Sequence, residues 1–166
     1  ANGAATFAIM TAAGNSVIIP AFEPVAAMRA IQDHKVTTGL LVPTMVTMVV
    51  NHPQVDEFDL SSLEYVLYGA SPMPEAVVRK AMRIIPQARF QQAYGQTEAS
   101  PATTLTRPDD PLELRVSTVG RVMPHQELKI VDLETGKTVP HGAVGEICFR
   151  GYMVMAGYDN NPDATA

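Results

Sequence analysis

Apolar and polar positions change their period along this chain, and each change marks an element. Ala4 to Ala13 is small and apolar, which predicts a helix with Gly14 as its left-handed cap. Ser16-Val17-Ile18-Ile19 is an unbroken apolar run, a buried strand halted by Pro20. Glu23-Pro24 opens a helix in the favoured way, and Val25, Met28, Ile31 and Gln32 follow at three-to-four spacing. Thr38 to Val42 reads as a second strand. Pro43-Thr44 opens a helix through Val50 with Met45, Met48 and Val49 on its apolar face. His52-Pro53 and Asp56 to Ser62 form a surface loop. Leu63 to Leu67 is a third strand, Pro74 to Ile85 a helix, and Phe90 to Ala93 a short fourth strand of mixed polarity. Strands and helices alternate with crossovers long enough for parallel pairing, so the fold class is α/β with right-handed connections.

Beyond Glu98 the pattern turns to β. Arg107-Pro108-Asp109-Asp110-Pro111 is a polar loop. Glu127 to Asp132 alternates as a strand, with Leu128, Ile130 and Val131 apolar, and Gly145 to Arg150 is a further strand. Leu133 to Lys137 reads as a hairpin turn with Gly136 at the position of positive φ. Two units are expected: a parallel α/β layer over residues 1–106, and a mostly β part over 107–166, a small antiparallel sheet or partial barrel.

Composition narrows the function classes. The chain has 166 residues, 46% of them hydrophobic, which suits one sizeable core and argues against disorder. A net charge of -5 argues against general nucleic-acid binding. Cys148 is the one cysteine, so no internal disulfide forms, and its alternating surroundings fit a structural thiol in a reducing compartment; a cytoplasmic location is expected. The most apolar segment, Gly39 to Val50, is broken by Pro43 and falls short of the roughly 20 residues that span a bilayer. Neither a signal peptide nor a transmembrane segment is expected. The chain opens without methionine and closes on Asn160 to Ala166 like a helix start, which reads as a piece of a longer protein whose cut edges favour a homodimer.

The chemistry gathers in Gln91-Gln92-Ala93-Tyr94-Gly95-Gln96-Thr97-Glu98. Tyr94 offers a π-face for a base, and Gly95 lets the main chain approach a phosphate. Thr97 brings a hydroxyl and Glu98 a hard oxygen ligand for magnesium. The same residues also suit an ordinary strand exit with a solvated carboxylate. A second exit, Tyr68-Gly69-Ala70-Ser71-Pro72, follows the third strand. In a parallel sheet the ligand crevice lies beyond the carboxyl ends of the strands. If the two strands are neighbours, bare main chain faces the Tyr94 ring across a slot that fits a flat heteroaromatic base. A dinucleotide-binding oxidoreductase is weakened because no G-x-G-x-x-G follows a strand.

With these residues in view, the chain resembles the adenylate-forming (AMP-binding) synthetase superfamily, most closely fatty acyl-CoA synthetases. The resemblance is carried by Leu41-Val42-Pro43-Thr44, Asp59-Leu60-Ser61-Ser62-Leu63, Tyr68 to Met73 and Gln92 to Glu98. It continues through Val119-Gly120-Arg121-Val122-Met123-Pro124 and Gly145 to Gly151, and on to Gly157-Tyr158. The resemblance implies that Gly69, Ala70 and Ser71 form one wall of an adenine slot and Tyr94 the other, with Gln92, Ala93, Gly95 and Gln96 in the same nucleotide-binding set. Thr97 then contacts phosphate and Glu98 holds Mg2+. Asn2, Ala5, Pro101, Ala102 and Leu105 are implied near the acyl pocket, and Ala93 stands where many members carry glycine. The implied reaction joins a carboxylic acid to ATP, releases pyrophosphate, and passes the acyl group from acyl-AMP to CoA. The superfamily's phosphate loop, ribose-binding aspartate and C-terminal lysine have no counterpart in this chain. The fragment alone is therefore expected to be inactive.

The first thirteen residues hold no aspartate to fix an amino group, which disfavours an amino-acid substrate. A fatty or related acid suits the small apolar residues, with an aryl-CoA ligase or a luciferase-like enzyme as alternatives. A non-catalytic interaction module with a vestigial site is the alternative of another class.

Overall fold

In the computed structural model residues 8–165 are described. Five strands form the main sheet in the order β1 (Thr38–Leu41), β2 (Tyr65–Gly69), β3 (Arg89–Tyr94), β4 (Thr104–Leu105) and β5 (Arg121–Val122). The first three run parallel, with Leu41 beside Tyr68 and Gly69 beside Ala93. β4 and β5 then add in antiparallel sense, Ala93 pairing with Leu105 and Thr104 with Val122. β6 (Gln126–Val131) and β7 (Glu146–Gly151) make a separate antiparallel pair. The α/β class and parallel layer expected from the periodicity are present.

Each long helix begins where proline and its cap allow. Pro24–His34 starts with both Glu23 carboxylate oxygens accepting from the Val25 and Ala26 amides, which satisfies two of the orphan donors. Pro43–Val50 starts on Pro43, and Glu75–Ile84 follows Pro74. These helices cover the sheet face that carries Val66, Tyr68 and Phe90, and Met28, Val46, Val49, Val50, Leu63, Val78 and Ala81 complete the core. On the opposite face Leu40 and Tyr65 remain partly exposed.

Several local expectations are corrected. Of the predicted Ala4 to Ala13 helix, residues 8–11 are helical within the described range. The left-handed cap falls on Ala13 (φ 54°), while the Gly14 amide donates to the Ile9 carbonyl. Residues 16–19 form no strand, and Ile18 is exposed, because no described strand pairs with them. The Pro43–Val50 helix buries Val46, Val49 and Val50 instead of its methionines, and Met48 lies at the surface. The third predicted strand sits two residues later, at Tyr65–Gly69, with Leu63 packed in the core ahead of it. Gly136 takes φ 66°, and its turn is held by Asp132, whose Oδ1 accepts from the Glu134 and Thr135 amides.

The short β4 leaves part of the β3 edge unpaired, and side chains fill the gap. The Thr106 hydroxyl accepts from the Gln92 amide at 2.7 Å, and the Thr106 amide donates to the Gln92 carbonyl. Further along the edge, buried Arg115 donates from Nη2 to the Phe90 carbonyl at 2.6 Å and from Nη1 to the Pro108 carbonyl at 3.3 Å. A buried carbonyl needs such a partner, so this arginine joins residues 108–115 to the main sheet.

Candidate nucleotide site

The two glycine-bearing exits share one rim because β2 and β3 are parallel neighbours in register, Gly69 beside Ala93. The strands approach so closely there that a Cβ on Gly69 would lie 2.2 Å from the Ala93 carbonyl oxygen. Ala70 follows at φ 72°, a left-handed conformation that costs a non-glycine residue about 1–2 kcal/mol. Ser100, on the other loop, is also left-handed (φ 52°). Ser100 takes this angle as the C-cap of the Thr97–Ala99 turn, and Ala13, Lys35, His125 and Asn160 share the left-handed φ elsewhere among the described residues. Ala70 and Ser71 are exposed, so the main chain of this exit is accessible.

Tyr94 ends β3 half-buried, its ring tilted at 37° to Phe149 of β7 with centroids 6.3 Å apart. Below it, the amide and hydroxyl of buried Thr103 both donate to the Tyr94 carbonyl, at 2.8 and 3.1 Å. These two hydrogen bonds to one oxygen close the neck of the loop 95–102. Inside the neck Gly95 meets Pro101 and Ala102 so tightly that a Cβ would sit 2.0 Å from the Pro101 oxygen. The loop then runs through Gln96 into a single turn of 3-10 helix, Thr97–Ala99, where Thr97 is exposed and Ala99 buried.

Glu98 is half-buried on that turn, and Tyr158 donates its phenolic hydroxyl to Glu98 Oε1. That bond, joined by one from the backbone amide of Glu98, holds the carboxyl below its ordinary value, while the same carboxylate pushes the Tyr158 phenol up. Folding therefore favours the ionised carboxylate, which is the form that binds a cation. Within the described residues no group of three or more His, Cys, Asp or Glu side chains is placed to hold a metal. Glu98 is thus a single hard oxygen donor. That fits Mg2+, which takes one or two carboxylates and completes its shell with water and phosphate oxygens.

The structure brings together Gly69, Ala70, Ser71, Ala93, Tyr94, Gly95, Gln96, Thr97 and Glu98 on one rim. Gln92 lies one step down β3, its amide engaged by Thr106. Pro101 and Ala102 pack over Gly95, and Leu105 pairs with Ala93. Asn2 and Ala5 lie outside the described residues. Sequence reasoning assigned no part here to Phe149, Thr103 or Tyr158. Of these, Phe149 and Tyr158 carried a signal, in the Gly145 to Gly151 stretch and the Gly157-Tyr158 pair of the resemblance.

The family profile described as "AMP-binding enzyme" matches residues 2–159. Among curated proteins, the chain is 42% identical over 144 residues to the putative acyl-CoA synthetase YngI of Bacillus subtilis, covering 87% of this chain and 26% of that protein. It is 40% identical over 152 residues to 4-coumarate–CoA ligase 2 of Nicotiana tabacum, covering 90% of this chain and 28% of the relative. Among solved structures, a long-chain-fatty-acid-CoA ligase from Archaeoglobus fulgidus superposes with a TM-score of 0.85 at 28% identity, over 95% of this chain and 33% of that one. The chain thus spans about a quarter of the length of the curated relatives it matches.

Proposed function

Since the chain belongs to the AMP-binding enzyme family, we propose that the protein carrying it is an acid–thiol ligase that makes acyl-AMP from ATP and a carboxylic acid, then acyl-CoA. The carboxylate oxygen attacks the α-phosphorus, forming the acyl–phosphate bond as pyrophosphate leaves. The thiol sulfur of CoA then attacks the acyl carbon, losing its proton to solvent and forming the thioester as the acyl–phosphate bond breaks and AMP leaves. The attacking acid is already ionised at neutral pH, so the first step needs no general base. Phosphoryl-type transfer asks the protein mainly to position groups and stabilise charge.

In this reading the purine lies between the Tyr94 ring and the Gly69-Ala70-Ser71 main chain. Gln92, Ala93, Gly95 and Gln96 shape that slot, Thr97 donates its hydroxyl to phosphate, and Glu98 holds Mg2+. A magnesium ion there would neutralise charge on the phosphates. Pro101, Ala102 and Leu105 border the acyl side. The single observation that carries the reading is the β2–β3 register, since it sets both loops on one rim.

The substrate is a fatty acid in the first instance, on the strength of the small and apolar residues near the chain's start and the 42% identity to a putative acyl-CoA synthetase. An aryl acid is the second reading, favoured by the 40% identity to a 4-coumarate–CoA ligase. Acid-dependent exchange of pyrophosphate into ATP separates them. The complete protein should exchange faster with decanoate than with 4-coumarate, and the reverse order would move the assignment to aryl acids. The 166-residue chain alone should show no exchange above blank with either acid; robust exchange would contradict the view that it supplies only the adenine wall and one metal ligand.

A further inference from the structure

Residues 151–158 cross back over the Glu98 loop from more than fifty positions further along the chain, as the Ser100–Met153 spacing of 53 shows, and join it at successive points. Ser100 Oγ donates to the Met153 carbonyl at 2.8 Å, the Met155 amide donates to the Glu98 carbonyl at 2.8 Å, and the Tyr158 hydroxyl donates to Glu98 Oε1. Met153 is buried, so this strap is anchored at one end. At its other end the Tyr158 amide donates to Thr165 Oγ1 at 2.9 Å, and Gly157 passes so close that a Cβ there would lie 2.7 Å from Thr165 Cγ2. The Tyr158 residue itself is 44% exposed. A tyrosine kept for packing is buried; this one stays partly exposed and spends its hydroxyl on one carboxylate oxygen.

We infer that Tyr158 is a positioning residue for Glu98: its hydroxyl fixes the rotamer of the carboxylate at the rim, and the strap fixes the hydroxyl. The inference rests on the reading of Glu98 as the magnesium ligand. Groups that orient a metal ligand through hydrogen bonds typically change metal affinity about 10–100-fold when removed. A hydroxyl on a partly exposed ring belongs at the lower end of that range.

The test is calorimetric binding of ATP to the complete protein, without a carboxylic acid, over a series of Mg2+ concentrations. Tyr158→Phe keeps the ring and removes the hydroxyl. It should raise the Mg2+ concentration for half-maximal ATP binding about tenfold, with the melting temperature nearly unchanged. Glu98→Gln should raise it at least as much. A loss with Glu98→Gln but none with Tyr158→Phe overturns the positioning role and leaves the metal reading intact. No loss with either variant overturns both. A Tyr158→Phe protein that melts early with normal Mg2+ dependence, or that fails to fold, shows a structural tie only and also overturns the inference.

Discussion

Gly95→Ala is expected to abolish ATP-dependent activity in the complete protein, by about 100-fold or more, and to lower the chain's melting temperature by several degrees. The reason is a close approach and not a special backbone angle. The added methyl would stand 2.0 Å from the Pro101 oxygen, 2.8 Å from its carbonyl carbon and 2.9 Å from Ala102 Cα. All three atoms are main chain, so no side-chain rotation relieves the clash. Overpacking of this kind costs about 1–3 kcal/mol, and each kcal/mol shifts the melting point of a chain this size by roughly 2–4 °C. The functional loss is larger than the stability loss because the neck, clamped by Thr103 on the Tyr94 carbonyl, sets the height of Thr97 and Glu98 above the rim. A displacement of about 1 Å at a reacting centre is enough for a 100-fold drop. Pyrophosphate exchange and a melting curve on the same preparation check both parts. Normal exchange would show that the loop tolerates a different neck.

Arg115→Met is expected to destabilise the chain by about 2–3 kcal/mol, or roughly 4–12 °C in melting temperature. Two effects oppose each other. The substitution removes a buried cation, which Nε makes costly because it has no partner. It also leaves the Phe90 carbonyl without its donor and frees residues 108–115 from the sheet edge. Guanidinium is weakly hydrated, so the relief is small, whereas hydrogen bonds from a charged donor are worth about 1.5–3 kcal/mol each. The loss wins. Arg115→Lys should fall between, since an ammonium on a shorter reach cannot serve both carbonyls. Thermal melts of the 166-residue chain decide it, and a methionine variant as stable as the parent would mean that the arginine's bonds only offset its burial.

What the sequence made legible, and what it did not, follows from where each signal is written. Helix starts are local chemistry, so Glu23-Pro24 and Pro43 located two of them directly. The rim was legible because both exits carry their glycines in sequence and strand alternation implies neighbours. The strand expected at residues 16–19 failed because an apolar run specifies burial only when a partner strand is present. The methionine face of Pro43–Val50 failed for a related reason: in a segment apolar almost all round, periodicity cannot say which stripe meets the core. β4 and β5 went unseen because each is two residues long, too short for a period, and Thr103, Thr104 and Thr106 carry no apolar signal. They are buried, and their hydroxyls are met by the Tyr94 and Val119 carbonyls and the Gln92 main chain. Tyr158 and Arg115 depend on contacts across long stretches of chain, which spacing does not reveal.

The most direct measurement is a crystal structure of the complete protein soaked with AMP. Purine density should lie against the Tyr94 ring on one side and the Gly69-Ala70-Ser71 main chain on the other, with the phosphate towards Thr97. Nucleotide bound away from this rim, with the space between those two loops filled by protein, would contradict the account.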